Sequence, residues 1–142
     1  MLELSSAAQT TAGVAILAAI TVTSGGYFLV KVVIGKVPAT PFQTSFFRAG
    51  HAHAGVLIIL GLVCLLLTEA TTLTGGWAWL ARTGVLVAAI VMPAAIVMPA
   101  GFFFSAMGSG RDRPSPLIAL LVLGAAFLVA GLGTLGVGLL LA

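Results

Sequence analysis

Apolar residues run in four long blocks, at about 11–34, 46–69, 78–107 and 116–141, parted by short intervals rich in proline, glycine and threonine. A helix needs about 20 apolar residues to cross the hydrocarbon layer, so each block is predicted to be a transmembrane helix. The first interval, 35–44, carries Pro38 and Pro41; the second is Thr71 to Gly76; the third is Gly-Ser-Gly-Arg-Asp-Arg-Pro-Ser-Pro from Gly108 to Pro116. The expected fold class is all-α and transmembrane, a four-helix bundle forming a single integral membrane domain over 1–142. The first block has no basic stretch before it and no small-residue cleavage site after it. It therefore reads as a retained span rather than a signal peptide.

Composition closes off a soluble alternative. Charged residues make up 6% of the chain and hydrophobic residues 61%, a balance that no water-soluble domain of this size can bury. A pI near 9.8 does not indicate nucleic acid, because six basic residues are too few and too scattered to track a phosphate backbone. Cys64 is the lone cysteine, so no intrachain disulfide forms, and a packing role is expected for it.

The charges instead predict topology. The first and third intervals must share one membrane face, which holds Lys31, Lys36, Arg48, Arg111 and Arg113, five of the six basic residues. The other face holds Glu3, Glu69 and Arg82. The positive-inside rule puts both hairpin loops in the cytoplasm and both termini outside, in a membrane expected to be the bacterial cell membrane. Trp77 and Trp79 fall where the outer aromatic belt belongs, and Phe42, Phe46 and Phe47 where the inner one belongs.

The blocks are not uniform. Thr21, Thr23, Ser24, Gly25 and Gly26 interrupt the first with a polar, flexible patch expected to kink it or to line an internal face. The third contains a tandem repeat, Ala89-Ile90-Val91-Met92-Pro93-Ala94 followed by Ala95-Ile96-Val97-Met98-Pro99-Ala100, whose prolines predict two bends. The fourth carries Gly124, Gly131 and Gly138 at intervals of seven, beside a row of Ala119, Ala126 and Gly133. Small rows of this kind let helix backbones approach closely.

The chemistry is confined to two histidines, His51 and His53, set inside the second block. Ionisable groups at membrane depth are costly and face a partner, a cavity or a cofactor. Residues two apart on a helix lie about 200° apart, so the two rings must serve different neighbours. His51 shares its face with Gly55, Ile58, Leu62 and Glu69, with Arg48 one turn before it; His53 shares its face with Leu57, Leu60 and Cys64. Ala49, Gly50, Ala52, Ala54 and Gly55 leave a gap to be filled by a close helix or by a flat guest. Three readings follow: histidines satisfied by neighbouring helices or interfacial water, haem ligation, or a proton relay or transition-metal site. Copper(I) would draw soft ligands from Met92, Met98 and Met107.

The stretch Phe47-Arg48-Ala49-Gly50-His51-Ala52-His53-Ala54-Gly55-Val56-Leu57-Ile58 resembles the second helix of haem-copper oxidase subunit I, especially the cbb3-type and nitric-oxide-reductase branches. It is also similar to small four-helix bacterial proteins related to that subunit. The resemblance implies haem b, with His51 or His53 as axial ligand, Arg48 beside a propionate, and Gly50 and Gly55 admitting the macrocycle. It also implies a histidine nearer the outer face, opposite to the charge rule. Two histidines cannot build an oxygen-reducing centre, and no paired carboxylate, nucleophile-base set or phosphate loop is present. A self-contained enzyme is therefore not expected.

The function expected is haem b binding for electron transfer or small-gas sensing. The partners expected are the lipid bilayer and either further copies in a homo-oligomer, with the glycine-rich last helix as a seam, or other membrane subunits. An accessory subunit of a larger complex is the alternative, as is a small transporter with Thr21, Thr23, Ser24 and His51 along its path.

Overall fold

A computed structural model describes residues 3–89 and 97–142, and among them every regular element is helical. In chain order these are α1 (Ser6–Val33), α2 (Pro41–Thr68), α3 (Gly75–Ala89), α4 (Val97–Ala106) and α5 (Ala119–Leu140), with a 3₁₀ turn at Pro116–Ile118 leading into α5. Among the described residues three stretches, Ser6–Val33, Pro41–Thr68 and Pro116–Leu140, are long and apolar enough to cross a membrane. The third apolar block is represented by α3 and α4. Its methionine-proline repeat, with the bends expected of it, falls mainly on 90–96 and lies outside the described residues.

Helix α2 begins five residues before its apolar block because Thr40-Pro41-Phe42-Gln43 is a start signal. The Thr40 hydroxyl accepts from the Gln43 N–H at 3.1 Å, and the Gln43 side chain accepts from the Thr40 N–H at 3.0 Å. Pro41 occupies the first turn, where a missing N–H leaves nothing unpaired. Pro41 falls in the interval expected to be a loop, 35–44, and instead initiates the helix. At α1, Ser5 caps in the same way, its hydroxyl accepting from Ala8 N–H at 3.2 Å. Of the two outcomes expected of the polar patch in α1, a kink or an internal face, the second is found: the helix runs unbroken through Gly25 and Gly26, while Thr23 and Gly26 line an internal cleft. Thr21 and Thr23 turn their hydroxyls back onto the carbonyls of Ala18 and Ile20, at 2.6 Å each, so their polarity is absorbed locally.

Polar bolts define the two ends of the molecule. At one end Glu69 accepts from the Ser5 N–H at 2.8 Å and pairs with Arg82 at 2.8 Å, joining the start of α1, the end of α2 and α3. At the other end the buried Gln43 amide donates to the carbonyls of Ala106 and Gly108, at 2.8 and 2.6 Å, and the Thr40 hydroxyl donates to the Arg111 carbonyl. The α1–α2 and α4–α5 connections thus share one end, and the α2–α3 turn lies at the other. The five basic residues counted above gather at the end that holds the α1–α2 and α4–α5 connections.

Helix α2 is central, burying residues from Gln43 to Thr68, whereas α1 buries only Ala8 and Ala15. A core of Leu57, Ile58, Cys64, Ala81, Val85 and Leu135 knits α2, α3 and α5 together, with Cys64 in the packing role expected of it. Glycines set the closest approaches. A Cβ on Gly84 would stand 2.8 Å from the Gly131 Cα, so α3 and α5 cross backbone to backbone. Gly61 receives Leu86, and Gly138 receives Leu73. The row of Gly124, Gly131 and Gly138 is buried within the chain, and the parallel row of Ala119, Ala126 and Gly133 is exposed.

Candidate functional site

The two histidines are not brought together. His51 points at α1, where a Cβ on Gly25 would lie 3.3 Å from its Nδ1, and one on Gly26 would lie 3.3 Å from Cε1 and 3.5 Å from Nε2. The glycine pair is the socket for this ring. Any larger residue there would push the imidazole away and part α1 from α2. Beside the ring a cleft of about 390 Å³ opens between the two helices, lined by Ala19, Val22, Thr23, Gly26, Gly55, Ile58 and Ile59 together with His51 itself. Its volume falls in the range of small-molecule sites. Among the described residues neither ring nitrogen of His51 has a hydrogen-bond partner.

His53 points elsewhere. Its Nδ1 lies 2.8 Å from the carbonyl oxygen of Ala49, one turn back on the same helix. A carbonyl only accepts, so Nδ1 donates, and in the neutral ring Nε2 keeps a free lone pair. The ring packs beside Phe102 of α4, with centroids 5.0 Å apart, and is exposed on the outer flank with Ala52 and Val56. α2 spans 28 residues, roughly 42 Å, and His53 lies close to its middle. An imidazole fixed by a backbone carbonyl, on an exposed side chain whose second nitrogen has no hydrogen-bond partner among the described residues, is the arrangement used by metal-ligating histidines.

The other expected site residues divide. Gly50 is buried under Phe102 and Phe103, with a Cβ there only 2.8 Å from the Phe103 ring, so at this position protein fills the gap. Nothing lies within 4 Å of a Cβ at Gly55, which opens onto the His51 cleft. Arg48 is exposed and lies on the His51 side of α2, about 140° round from His53. Lys31 sits over the Tyr27 ring at 4.5 Å. Among the described residues no three of His, Cys, Asp or Glu gather around one point. Met107 lies at the loop end, and the side chains of Met92 and Met98 lie outside the described residues.

Sequence reasoning missed the Gly25–Gly26 socket, although the pair itself was conspicuous. It also missed the two phenylalanines over Gly50. Both follow from the register between helices, which spacing along one helix does not encode. No family model, curated protein or solved structure matches the chain.

Proposed function

We propose that the chain is an integral membrane four-helix protein of the bacterial cell membrane, with α3 and α4 making one crossing and both hairpin loops cytoplasmic. Its function on this reading is to bind haem b through His53, for electron transfer or for binding a small gas. The observation that carries it is the exposed His53 ring at mid-helix, anchored through Nδ1 with no hydrogen-bond partner for Nε2 among the described residues. An imidazole facing lipid at that depth is costly unless something occupies its lone pair. The resemblance of the Phe47–Ile58 stretch to a haem-ligating helix supports the same reading.

The residues present suit one axial position. Ala49 holds the ring through its carbonyl, Ala52 leaves room for a plane against the helix, and Phe102 supplies an aromatic wall. Bound haem would supply a redox-active, gas-binding iron. His51, turned into the glycine socket, supplies no second axial nitrogen to the same haem, so that position stays open or is filled by a second copy of the chain. Arg48 takes no part on this face.

The test is the absorption spectrum of protein purified from haem-supplied cells, oxidised and dithionite-reduced. A Soret band with sharp reduced α and β bands is expected. Carbon monoxide then separates the roles: a spectral shift marks an open position and gas binding, and no shift marks closed two-histidine ligation and electron transfer. A colourless protein contradicts the haem reading and leaves His53 as the contact point for a covering subunit.

A further inference from the structure

A cavity of about 740 Å³ lies at the loop end, away from both histidines. Its floor is a three-ring cluster. Phe47 meets Phe28 edge-on at 5.1 Å and stacks on Phe103 at 5.4 Å, and Phe28 and Phe103 lie 6.1 Å apart. Beyond these rings it is lined by polar groups of Thr40, Gln43 and Ser109, by Gly108 and Gly110, and by the apolar Val37, Pro38, Ala39 and Met107. The Thr40 and Gln43 donors are already engaged with α4–α5 carbonyls, so this lining is preformed rather than held open by a guest.

The charge around this opening is one-sided. Lys36 directly precedes the lining residue Val37, and Arg111 directly follows Gly110. The Arg111 Nε stands 2.9 Å from where a Gly108 Cβ would be, which places the guanidinium beside that lining residue. Lys31, Arg48 and Arg113 lie at the same end, and Asp112 is the one acid among them. Among the described residues the sole ion pair is Arg82–Glu69, at the opposite end. The site thus combines an apolar aromatic floor, a neutral polar collar and a cationic brim. A free anion would leave the floor empty, and a neutral lipid would leave the brim unpaired.

We propose that this cavity holds an anionic phospholipid, with an acyl chain on the Phe28–Phe47–Phe103 floor and the phosphate against Lys36 and Arg111. The proposal rests on the membrane placement above and not on haem, so a colourless protein does not touch it. Basic groups at a membrane surface contribute about fivefold each to the affinity for anionic lipid. The experiment is native mass spectrometry and lipid titration of the delipidated full chain in neutral detergent. The probes are palmitoyl-oleoyl phosphatidylglycerol, the matching phosphatidylcholine, and inorganic phosphate as competitor.

Wild type is expected to retain phosphatidylglycerol in preference to phosphatidylcholine, with millimolar phosphate failing to displace it. K36Q and R111Q should each lower phosphatidylglycerol affinity about fivefold and leave phosphatidylcholine unchanged. Ala39→Trp, which fills the cavity without altering charge, should abolish tight retention while circular dichroism stays helical. Equal affinity for the two lipids overturns the proposal, as does displacement by phosphate alone. Unchanged binding in Ala39→Trp of native helicity would place the lipid on the outer surface and overturn the cavity assignment.

Discussion

Replacing Gly84 by alanine adds one methyl group at the α3–α5 crossing. The new Cβ would sit 2.8 Å from the Gly131 Cα, 3.2 Å from the Phe127 oxygen and 3.3 Å from the Gly131 nitrogen, all backbone atoms that no rotamer change can move. Ordinary contact begins near 3.4 Å, so the helices must part by about 0.6 Å or more. A gap of that size forfeits roughly a quarter of the dispersion energy along the seam. Overpacking of this kind costs about 1–3 kcal/mol, against which alanine returns up to about 1 kcal/mol of helix propensity. Gly133→Ala isolates the first effect, since it gains the same propensity and its Cβ meets nothing within 4 Å. Unfolding of both variants in mixed dodecylmaltoside and dodecylsulfate, followed by far-ultraviolet circular dichroism, should place Gly84→Ala about 1–3 kcal/mol below Gly133→Ala. Equal midpoints would refute the backbone-to-backbone crossing.

Three further outcomes follow from the ends of the bundle and the His51 socket. Glu69→Gln should cost about 2 kcal/mol, because it breaks a charge-assisted pair and leaves Arg82 without its partner, measured by the same unfolding assay. The Ser5 N–H, and after it Arg82, hold the Glu69 carboxyl below its ordinary value of 4.5, so its stabilisation is complete above that pH and fades as pH falls through the lowered value. Wild type but not Glu69→Gln should show that acid-side loss. Thr40→Ala removes the α2 cap and the tether to Arg111 and should cost about 1–2 kcal/mol, read by thermal melting in detergent. Gly26→Val drives a side chain against the His51 ring and should loosen α1, costing about 1–3 kcal/mol and opening the α1–α2 connection to protease. Protease resistance equal to wild type would count against the socket.

What the sequence made legible follows from what periodicity encodes. Block length located the long apolar helices. The 3.6-residue turn already separated His51 from His53, and small residues at seven-residue intervals already marked Gly131 as a close-approach position. Pairing between helices was not legible. That Gly25 and Gly26 receive His51, that Phe103 covers Gly50 and that Gly84 meets Gly131 depend on axial register and rotation, which many sequences share. The Thr40–Gln43 capping box was present in the sequence but hidden by a second property of proline, which stops a helix from within and starts one from the first turn. The candidate site was legible as a pair of residues and not as a geometry: the His53 ring beside Phe102 and the His51 ring beside Gly25 and Gly26 emerge only once α4 and α1 are in place.

That difference between the rings gives the most direct test of the haem assignment. Haemin is titrated into the purified, haem-free chain in detergent, and the Soret absorbance is compared for wild type, His53→Ala and His51→Ala. The account predicts saturable binding by wild type, loss of more than about 100-fold in affinity in His53→Ala, and near-wild-type binding in His51→Ala. Binding that survives His53→Ala, or that disappears only in His51→Ala, would contradict it.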